Sequence, residues 1–417
     1  MGERGTGGRG ATGALVALAV VAVVAVVAWG AWALALQGGA AGPAGEPARE
    51  ETQDAPEPDA VTDPEPEPEE PSDPVADVVA GMTLEEKVAQ LFVVRPEDLT
   101  HVGVQTAAGD ATRAALEAHP VGGICYFAQN LVDPAQTRDM LASTQAFYEE
   151  LTGLPCFLAV DEEGGTVSRV GANPAFGVER VGDMVAVQSD EEAREKAVTI
   201  GTYLADLGFN LDFAPDADIA DVEGSSLARR SFGASAEVVA PRVAAQVEGF
   251  LSTGILCAAK HFPGIGGAVG DSHDGSIMTN ATPEDLAASE LVPFRAAMDA
   301  GVPLIMVGHL TLPNVTGDYV AASLNPKIVT GILREQLGFD GIVITDSLAM
   351  GAVVDAYSPE EIGVTALEAG VDMILMPRDF ERTYQGVLDA VASGRLSEER
   401  IDESVERIVR TKLSLQG

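Results

Sequence analysis

Cysteine and positive charge are both scarce in this chain of 417 residues. Its three cysteines, Cys125, Cys156 and Cys257, are too few and too scattered for a disulfide framework or a zinc-binding cage of thiolates. Each lies in an apolar run typical of a β-strand, so we expect buried, unpaired thiols. Lysine and arginine number 25 against 64 aspartates and glutamates, which gives a formal net charge of -39. Such a surface repels phosphate backbones, and this excludes nucleic acid as an expected partner.

Glycine-rich phosphate-binding motifs are missing as well. Neither a GxGxxG nor a Walker-type pattern follows the first predicted strand, which argues against a nucleotide-binding enzyme. Hydrophobic residues make up 46% of the chain, enough for one large domain or two ordinary ones with additional segments.

The longest apolar run covers residues 14–36, directly after a short head (1–13) that carries two arginines. It is long enough to cross a bilayer as a helix. The apolar part of a cleavable signal is shorter, about 7 to 15 residues, so we expect a membrane anchor. Small residues at Ala31 and Ala33 leave a cleaved signal peptide, and a secreted protein, as the alternative. Arginines before the run and acidic residues after it place the remainder of the chain outside the cytoplasm.

The composition changes again in residues 37–74, which are rich in proline, glutamate, aspartate, alanine and glycine. This segment has almost no large apolar side chains to bury, and its like charges repel one another. We therefore expect a disordered acidic linker between the membrane segment and a folded domain at 75–417.

From Val75 onward, short apolar runs alternate with longer amphipathic segments, a pattern typical of a parallel α/β sheet. Eight runs are predicted strands: VAQLFVV, VGGICYF, PCFLAV, FNLDFAP, LCAAKHF, PLIMVGHL, GIVITD and DMILMP. Helix-capping signals between them include Thr83, Asp133, Thr282 and Ser358. Eight strands suit a closed (β/α)8 barrel of the TIM type as a single catalytic domain. Periodicity alone also permits an open doubly wound sheet.

Polar residues follow three of these strands directly. PCFLAV is followed by Asp161, LCAA by Lys260 and His261, and GIVIT by Asp346. In a barrel these strand ends converge on the face that carries the active site. A carboxylate fixed at a strand end suits a nucleophile, although the same residue type also caps the helix that follows a strand.

A glycine-rich loop, GIGGAVGDSHDG, follows the KHFP segment and contains Asp271 and His273. Glycines at this density allow a mobile loop. An aspartate two residues away in extended backbone points to the same side as the histidine and raises its pKa, which suits an acid near neutral pH. A surface loop with unrelated polar residues is the alternative interpretation.

Five separated motifs resemble those of the β-N-acetylglucosaminidases of glycoside hydrolase family 3. They are DEEGG at 161–165, RRSFG at 229–233, KHFPG at 260–264, DSH at 271–273 and GFDGIVITDSLAM at 338–350. The resemblance covers the chain from Val75 to Gly417 and implies a (β/α)8-type barrel with no metal or other cofactor. It also implies hydrolysis of a terminal β-linked N-acetylglucosamine with retention of configuration. The alternatives are a family 3 β-glucosidase, a phosphate-using N-acetylglucosaminidase, and a non-catalytic wall-binding protein.

The same resemblance assigns roles to single residues. Asp346 falls on the nucleophile, and His273 falls on the acid and base with Asp271 as its partner. The sugar-binding positions fall on Asp161, Arg169, Arg230, Lys260 and His261. Arg230 is preferred to Arg229 because it immediately precedes Ser231 and Phe232. His309 matches a family strand and is assigned only a place near the pocket.

Two positions depart from the family pattern KHFPGHGD, where this chain has Ile265 and Gly267. The fine substrate preference therefore stays open. Many relatives carry a second, sandwich-type domain that this chain has no room for, so the acid is expected from the barrel's own loop. We expect a monomer that acts on peptidoglycan fragments or other glycans with terminal N-acetylglucosamine.

Overall fold

The computed structural model of the chain describes residues 73–220, 227–268 and 277–416. The predicted membrane segment (14–36) and most of the predicted linker lie outside these residues, and so do Asp271 and His273. Within the described ranges, no helix combines the length and the apolar character needed to cross a bilayer.

Parallel strands form an eight-stranded sheet at the positions of the eight predicted runs. They are β1 (Phe92–Val94), β2 (Gly123–Tyr126), β3 (Phe157–Val160), β4 (Leu211–Asp212), β5 (Leu256–Phe262), β7 (Leu304–Val307), β9 (Ile342–Thr345) and β10 (Ile374–Leu375). Their order in the sheet is β10-β1-β2-β3-β4-β5-β7-β9. A parallel bridge between Ile344 and Met373 joins the two ends of this order. The sheet is thus a nearly closed barrel, and the open doubly wound arrangement does not apply.

Two further strands, β6 (Ile277–Met278) and β8 (Leu310–Thr311), pair in parallel outside the barrel. They follow β5 and β7 in the chain. The loops after these two barrel strands are therefore tied to each other beside the barrel mouth.

Helices connect the strands. The described α-helices are α1 (Pro74–Ala80), α2 (Leu84–Gln90), α3 (Pro96–Thr100), α4 (Asp110–Ala118), α5 (Pro134–Thr152), α6 (Asp190–Leu207), α7 (Ala236–Ser252), α8 (Pro283–Ala288), α9 (Leu291–Asp299), α10 (Pro313–Thr316), α11 (Gly351–Val354), α12 (Pro359–Ala369), α13 (Phe380–Ala392) and α14 (Glu398–Leu413), with a π-helix at Lys327–Gln336. The predicted helix starts are confirmed at all four signals: Thr83, Asp133, Thr282 and Ser358 are the N-cap residues of α2, α5, α8 and α12.

The first predicted strand is wrong in its first half, because Val88, Ala89 and Gln90 form the last turn of α2. The capping box of Thr83 and Glu86 starts this helix, and the strand begins only at Phe92. All three residues are buried, so the apolar run combines the inner face of a helix with a strand.

The core lies inside the barrel and between the barrel and its helices. The residues of β1, β2, β3, β5, β7 and β9 are all buried. Cys125, Cys156 and Cys257 are buried and free, which confirms the expectation of unpaired core thiols. Since every barrel strand runs in the same direction, their carboxyl ends meet at one face.

Candidate active site

A pocket of about 160 Å³ lies at this face. Its charged lining residues among those described are Asp161, Glu163, Arg169, Arg230, Lys260, His261 and Asp346. The structure therefore brings together all six described residues that the sequence assigned to the site, and it adds Glu163.

Asp346 directly follows β9 and is half-buried. Its backbone N–H donates to the carbonyl oxygen of Val307 (2.8 Å), and its Oδ1 accepts a bond from the N–H of Ser347 (2.7 Å). No helix starts here, since the next one, α11, begins at Gly351. The alternative role of Asp346 as a helix cap is therefore excluded.

Asp346 is held in its ionised form. Burial alone would raise the pKa of this carboxyl, but nearby positive charge and the bond from Ser347 outweigh burial. The groups that lower it are the imidazoles of His261 and His309, the Ser347 N–H and the Lys260 ammonium. The pKa of Asp346 consequently lies below its ordinary value.

His309 supports the loop that carries Asp346 rather than lining the pocket. Its Nε2 lies 2.9 Å from the carbonyl oxygen of Ser347, and its Nδ1 lies 2.8 Å from the hydroxyl of Ser323. Because a carbonyl oxygen only accepts, Nε2 donates its proton in a hydrogen bond to Ser347. His309, predicted to lie near the pocket, is therefore buried in contact with Ser347, the residue that follows Asp346.

Glu163 links the two cations of the pocket. Its carboxylate accepts two bonds of 2.7 Å from the guanidinium of Arg230 and lies 2.6 Å from the Lys260 ammonium, which also donates to Asp161 at 2.9 Å. Burial would raise the pKa of Glu163, but Lys260 and Arg230 hold it well below its usual range. Burial lowers the pKa of Lys260 and of Arg230, and their acidic neighbours more than restore it. All three groups are therefore charged at neutral pH.

The structure also separates the two arginines of the RRSFG motif. Arg230 is mostly buried in the pocket, whereas the Arg229 side chain is 63% exposed and pairs with Asp183. The preference for Arg230 as the pocket residue agrees with this placement.

Arg169 reaches the pocket from a loop that folds around the buried Glu162. Its guanidinium lies over the ring of Phe127 at 5.7 Å, and its Nη2 is 4.0 Å from Asp161. Its Nε is buried without a hydrogen-bond partner among the described residues. The carboxylate of Glu162 accepts bonds from Ser168, Arg169, Val170, Gly171 and Tyr203. Glu162 thus fixes the loop, and Arg169 keeps an unused donor.

His261 is oriented by a buried aspartate. Its Nδ1 lies 2.7 Å from Oδ2 of Asp218, whose Oδ1 accepts a 2.7 Å bond from the N–H of Ile265. Burial opposes protonation of the imidazole, but the Asp218 carboxylate more than compensates and raises the pKa of His261. The Nε2 atom of His261 lies 3.5 Å from Arg230.

Asp216, Asp218 and His261 are the described residues best placed to hold a metal ion, since their ligand atoms lie within 4.8 Å of one another. Arg230 already places its Nε 3.5 Å from Asp216, and both oxygens of Asp218 accept hydrogen bonds. Burial and the neighbouring Asp218 raise the pKa of Asp216 to about 7. Oδ2 of Asp216 is buried without a hydrogen-bond partner among the described residues, so the three residues form a charged cluster beside Arg230 in which only Asp218 and His261 are closely paired.

Sequence reasoning missed Glu163, Asp216 and Asp218. A signal for them exists, because residues two apart after a strand point to the same side. Glu163 follows Asp161 at that spacing, and Asp218 follows Asp216. The pairing of each acid with its partner depends on contacts between β3, β4 and β5, which the sequence does not give.

Comparison with known proteins agrees with this geometry. Residues 83–411 match the N-terminal domain of glycosyl hydrolase family 3. The chain is 31% identical to β-hexosaminidase A of Pseudoalteromonas piscicida over 72% of its own length and 54% of that protein. It is 32% identical to the β-hexosaminidase LpqI of Mycobacterium tuberculosis over 81% of its own length and 84% of that protein.

A solved structure gives the same result. The family 3 β-N-acetylglucosaminidase of Paenibacillus sp. str. FPU-7 superposes with a TM-score of 0.75 at 36% identity. The superposition covers 81% of this chain and 64% of that one. Since the family match extends over most of the chain and includes every described pocket residue, the chain belongs to the glycosyl hydrolases of family 3.

Proposed function

We propose that this protein is a retaining exo-glycosidase that removes terminal, non-reducing β-linked N-acetylglucosamine. The observation that carries the proposal is the ionised Asp346, fixed at a strand end in a small pocket where Arg230 and Lys260 are already paired with Glu163 and Asp161. An ionised carboxylate on a rigid element is the nucleophile that a double displacement at a sugar requires. The curated relatives named above, both β-hexosaminidases, support the same choice of sugar.

In the proposed first step, an oxygen of Asp346 attacks the anomeric carbon and the bond from that carbon to the leaving oxygen breaks. The imidazolium of His273, paired with Asp271, gives its proton to the leaving oxygen. The product is a glycosyl ester on Asp346. In the second step, neutral His273 takes a proton from water, which attacks the ester and releases the sugar with its original configuration.

The paired charges of the pocket suit an uncharged sugar. Lys260 is neutralised by Asp161, and Arg230 by Glu163, so the pocket does not require an anionic ligand. Each ion pair offers both donors and acceptors, which is what sugar hydroxyls and an acetamide need. Arg169 and His261 line the same pocket and add further nitrogen donors for the bound sugar.

We also propose that the catalytic domain works outside the cytoplasm, anchored by residues 14–36 or secreted if they are removed. The support comes from the sequence, where an apolar run of membrane length lies between arginines and an acidic linker. Peptidoglycan fragments and other glycans with terminal N-acetylglucosamine are the substrates that such a location offers.

The test is a direct assay of the full-length chain on 4-nitrophenyl N-acetyl-β-glucosaminide beside the corresponding β-glucoside, with and without phosphate. We expect faster release of nitrophenol from the acetamido sugar, and a β-configured first product by NMR. A preference for the plain glucoside would identify a β-glucosidase. Formation of a sugar phosphate would identify phosphorolysis, and the lack of turnover on either substrate would indicate a binding protein.

A further inference from the structure

Three arginines surround a single buried carboxylate at the end of the barrel opposite the active site. They are Arg334 on the π-helix and Arg400 and Arg407 on α14, and we call them the arginine cluster. The carboxylate belongs to Asp372, which is fully buried and lies two residues before β10. This is the amino end of the strand, whereas the active site lies at the carboxyl ends.

The Asp372 carboxylate is shared between two of the three guanidinium groups. Its Oδ2 accepts a bond from Nη2 of Arg334, and its Oδ1 lies 3.1 Å from Nη1 of Arg407. In the described part of the chain, no other carboxylate forms an ion pair with any member of the arginine cluster. One negative charge therefore serves three positive ones, and two positive charges stay unbalanced.

Arg400 has no ion pair of its own within the described ranges. Its nitrogens donate to the hydroxyl of Ser404 (2.7 Å) and to a backbone carbonyl oxygen (2.6 Å), which are both neutral groups. Burial lowers the pKa of Arg400, and Arg407 lowers it further, while Asp372 and the exposed Glu403 restore only part of the loss. The positive charge of Arg400 is thus poorly compensated by the protein itself.

Unbalanced charge is costly here because the cluster is largely buried. The side chain of Arg334 is 13% exposed and that of Arg407 is 27% exposed. Burial lowers the pKa of Arg334, and the two other arginines lower it further, so Asp372 restores it only in part. A guanidinium does not lose its proton in proteins, and a buried cation without a counter-charge is destabilising. An anion from outside the chain would remove this cost.

The arginine cluster also has free donors for such an anion. Nε of Arg400 and both Nε and Nη2 of Arg407 make no hydrogen bond to a described residue. None of these nitrogens is buried without a partner, so they are open to solvent. The planar fork of N–H donors on a guanidinium matches the oxygens of a phosphate group.

We infer that the arginine cluster is a binding site for a phosphate dianion, either the free ion or the phosphate group of a monoester. The two negative charges of this group balance the two excess positive charges of the cluster. A recessed site of this size admits a small anion, although the net charge of -39 repels polyanions from the protein as a whole. The inference does not depend on the proposed glycosidase function, because the cluster lies at the other end of the barrel.

The test is isothermal titration calorimetry of the full-length protein with inorganic phosphate, in a chloride buffer of constant ionic strength at pH 8. We expect one phosphate per chain. In Arg407→Gln, binding should weaken at least about tenfold, because charge-assisted hydrogen bonds are lost. Arg407→Lys keeps the charge without the fork and should bind phosphate with intermediate affinity.

Methyl phosphate is the second probe, because it separates the two sources of the phosphate group. An affinity similar to that of inorganic phosphate would show that the site accepts the phosphate of a larger molecule. Binding of inorganic phosphate alone would limit the site to the free ion.

Arg410→Gln is the matched control, since Arg410 is an exposed arginine on the same helix without an ion pair to a described residue. It should bind phosphate as the wild type does, and circular dichroism checks that all variants are folded. Lack of phosphate binding by the wild-type protein would overturn the site. An unchanged affinity in both Arg407 variants would do the same, because the phosphate would then bind elsewhere on the protein.

Discussion

Asp346 is the residue on which the proposed chemistry depends. Replacement by Asn keeps its size and removes the nucleophilic charge, so we expect turnover of the nitrophenyl substrate to fall by at least about a thousandfold. The folded structure should persist, which circular dichroism checks. Asp340→Asn is the control, because Asp340 is exposed and precedes the opposite end of β9. Substantial activity in Asp346→Asn, at the level of the control, would remove Asp346 as the nucleophile.

If His273 is the acid, the effect of its replacement on the rate should depend on the leaving group. In His273→Ala we expect substrates with a leaving group of high pKa to slow far more than activated aryl substrates, because only the former need a proton in the first step. The measurement is kcat/KM across a series of aryl N-acetyl-β-glucosaminides. Equal slowing along the whole series would argue against an acid role for this histidine.

The negative charge of Glu163 should contribute to stability, because it neutralises Lys260 and Arg230 in a buried position. Glu163→Gln removes the charge and leaves two buried cations with one fewer partner, so we expect a loss of about 3 kcal/mol in the free energy of unfolding. Urea denaturation measures it. The exposed Glu150, which pairs with Arg113, serves as the control, and Glu150→Gln should leave the free energy of unfolding nearly unchanged. Similar losses in both variants would contradict this account of the network.

At the scale of single residues, the sequence predicts which polar residues follow a strand. It does not predict which of these residues form ion pairs with residues on other parts of the barrel. Asp346 and Lys260 are polar residues that interrupt or end an apolar run, and this is visible in one dimension. The bond between Glu163 and Arg230 joins residues 67 positions apart, and nothing local specifies it. Arg230 and Lys260 look like ordinary basic residues until the barrel brings them to the same carboxylate.

At the scale of elements, local signals located the strands and the helix starts, because capping and β-branched runs depend on neighbours in the chain. The beginning of the first strand was misplaced, since a short buried run fits both a helix face and a strand. The small pair β6 and β8 was not predicted. Its two strands have two residues each, and their pairing depends on how the barrel places the segments after β5 and β7.

The last helix, α14, carries a buried lysine whose setting has a measurable consequence. The Lys412 ammonium donates to Gln90 and Tyr148, lies over the rings of Tyr148 and Phe157, and pairs with no carboxylate among the described residues. Burial lowers the pKa of Lys412 to about 7. Between this value and the ordinary 10.5, the unfolded chain binds more protons than the folded one, so stability rises with pH in this window.

We expect this pH dependence of the free energy of unfolding to disappear when Lys412 is replaced. Below pH 7 the cost of burying the charge is fully present, and towards pH 9.5 it declines by at most about 1.4 kcal/mol per pH unit. Lys412→Met should therefore have a larger free energy of unfolding than the wild type at pH 6.5, and this difference should disappear at pH 9.5. Urea denaturation at both pH values measures the difference, with Arg410→Met on the same helix as control. Parallel pH profiles for wild type and Lys412→Met would show that Lys412 is not the group that titrates.

At the scale of the whole molecule, the barrel and its charge act together. Parallel strands aim the ends of β3, β5 and β9 at one face, where Arg169, Arg230 and Lys260 lie beside Asp161, Glu163 and Asp346. The net charge of -39 predicts that the protein repels polyanions. Composition is enough for that prediction. The meeting of three cations and three carboxylates at the barrel mouth depends on the fold.

The first described helix, α1, is part of the folded core. Asp73 caps α1, and Val75 and Val79 of this helix are buried, with α1 packed against α14. A chain that starts at Asp73 should therefore unfold at the same urea concentration as the full-length protein. A chain that starts at Met82 lacks α1 and should lose about 3 to 6 kcal/mol, because burying each valine contributes about 1.5 to 3 kcal/mol. If the full-length protein proves clearly more stable than the chain from Asp73, the preceding residues contribute to the fold and the predicted linker is wrong. Equal stability of all three chains would instead show that α1 is dispensable.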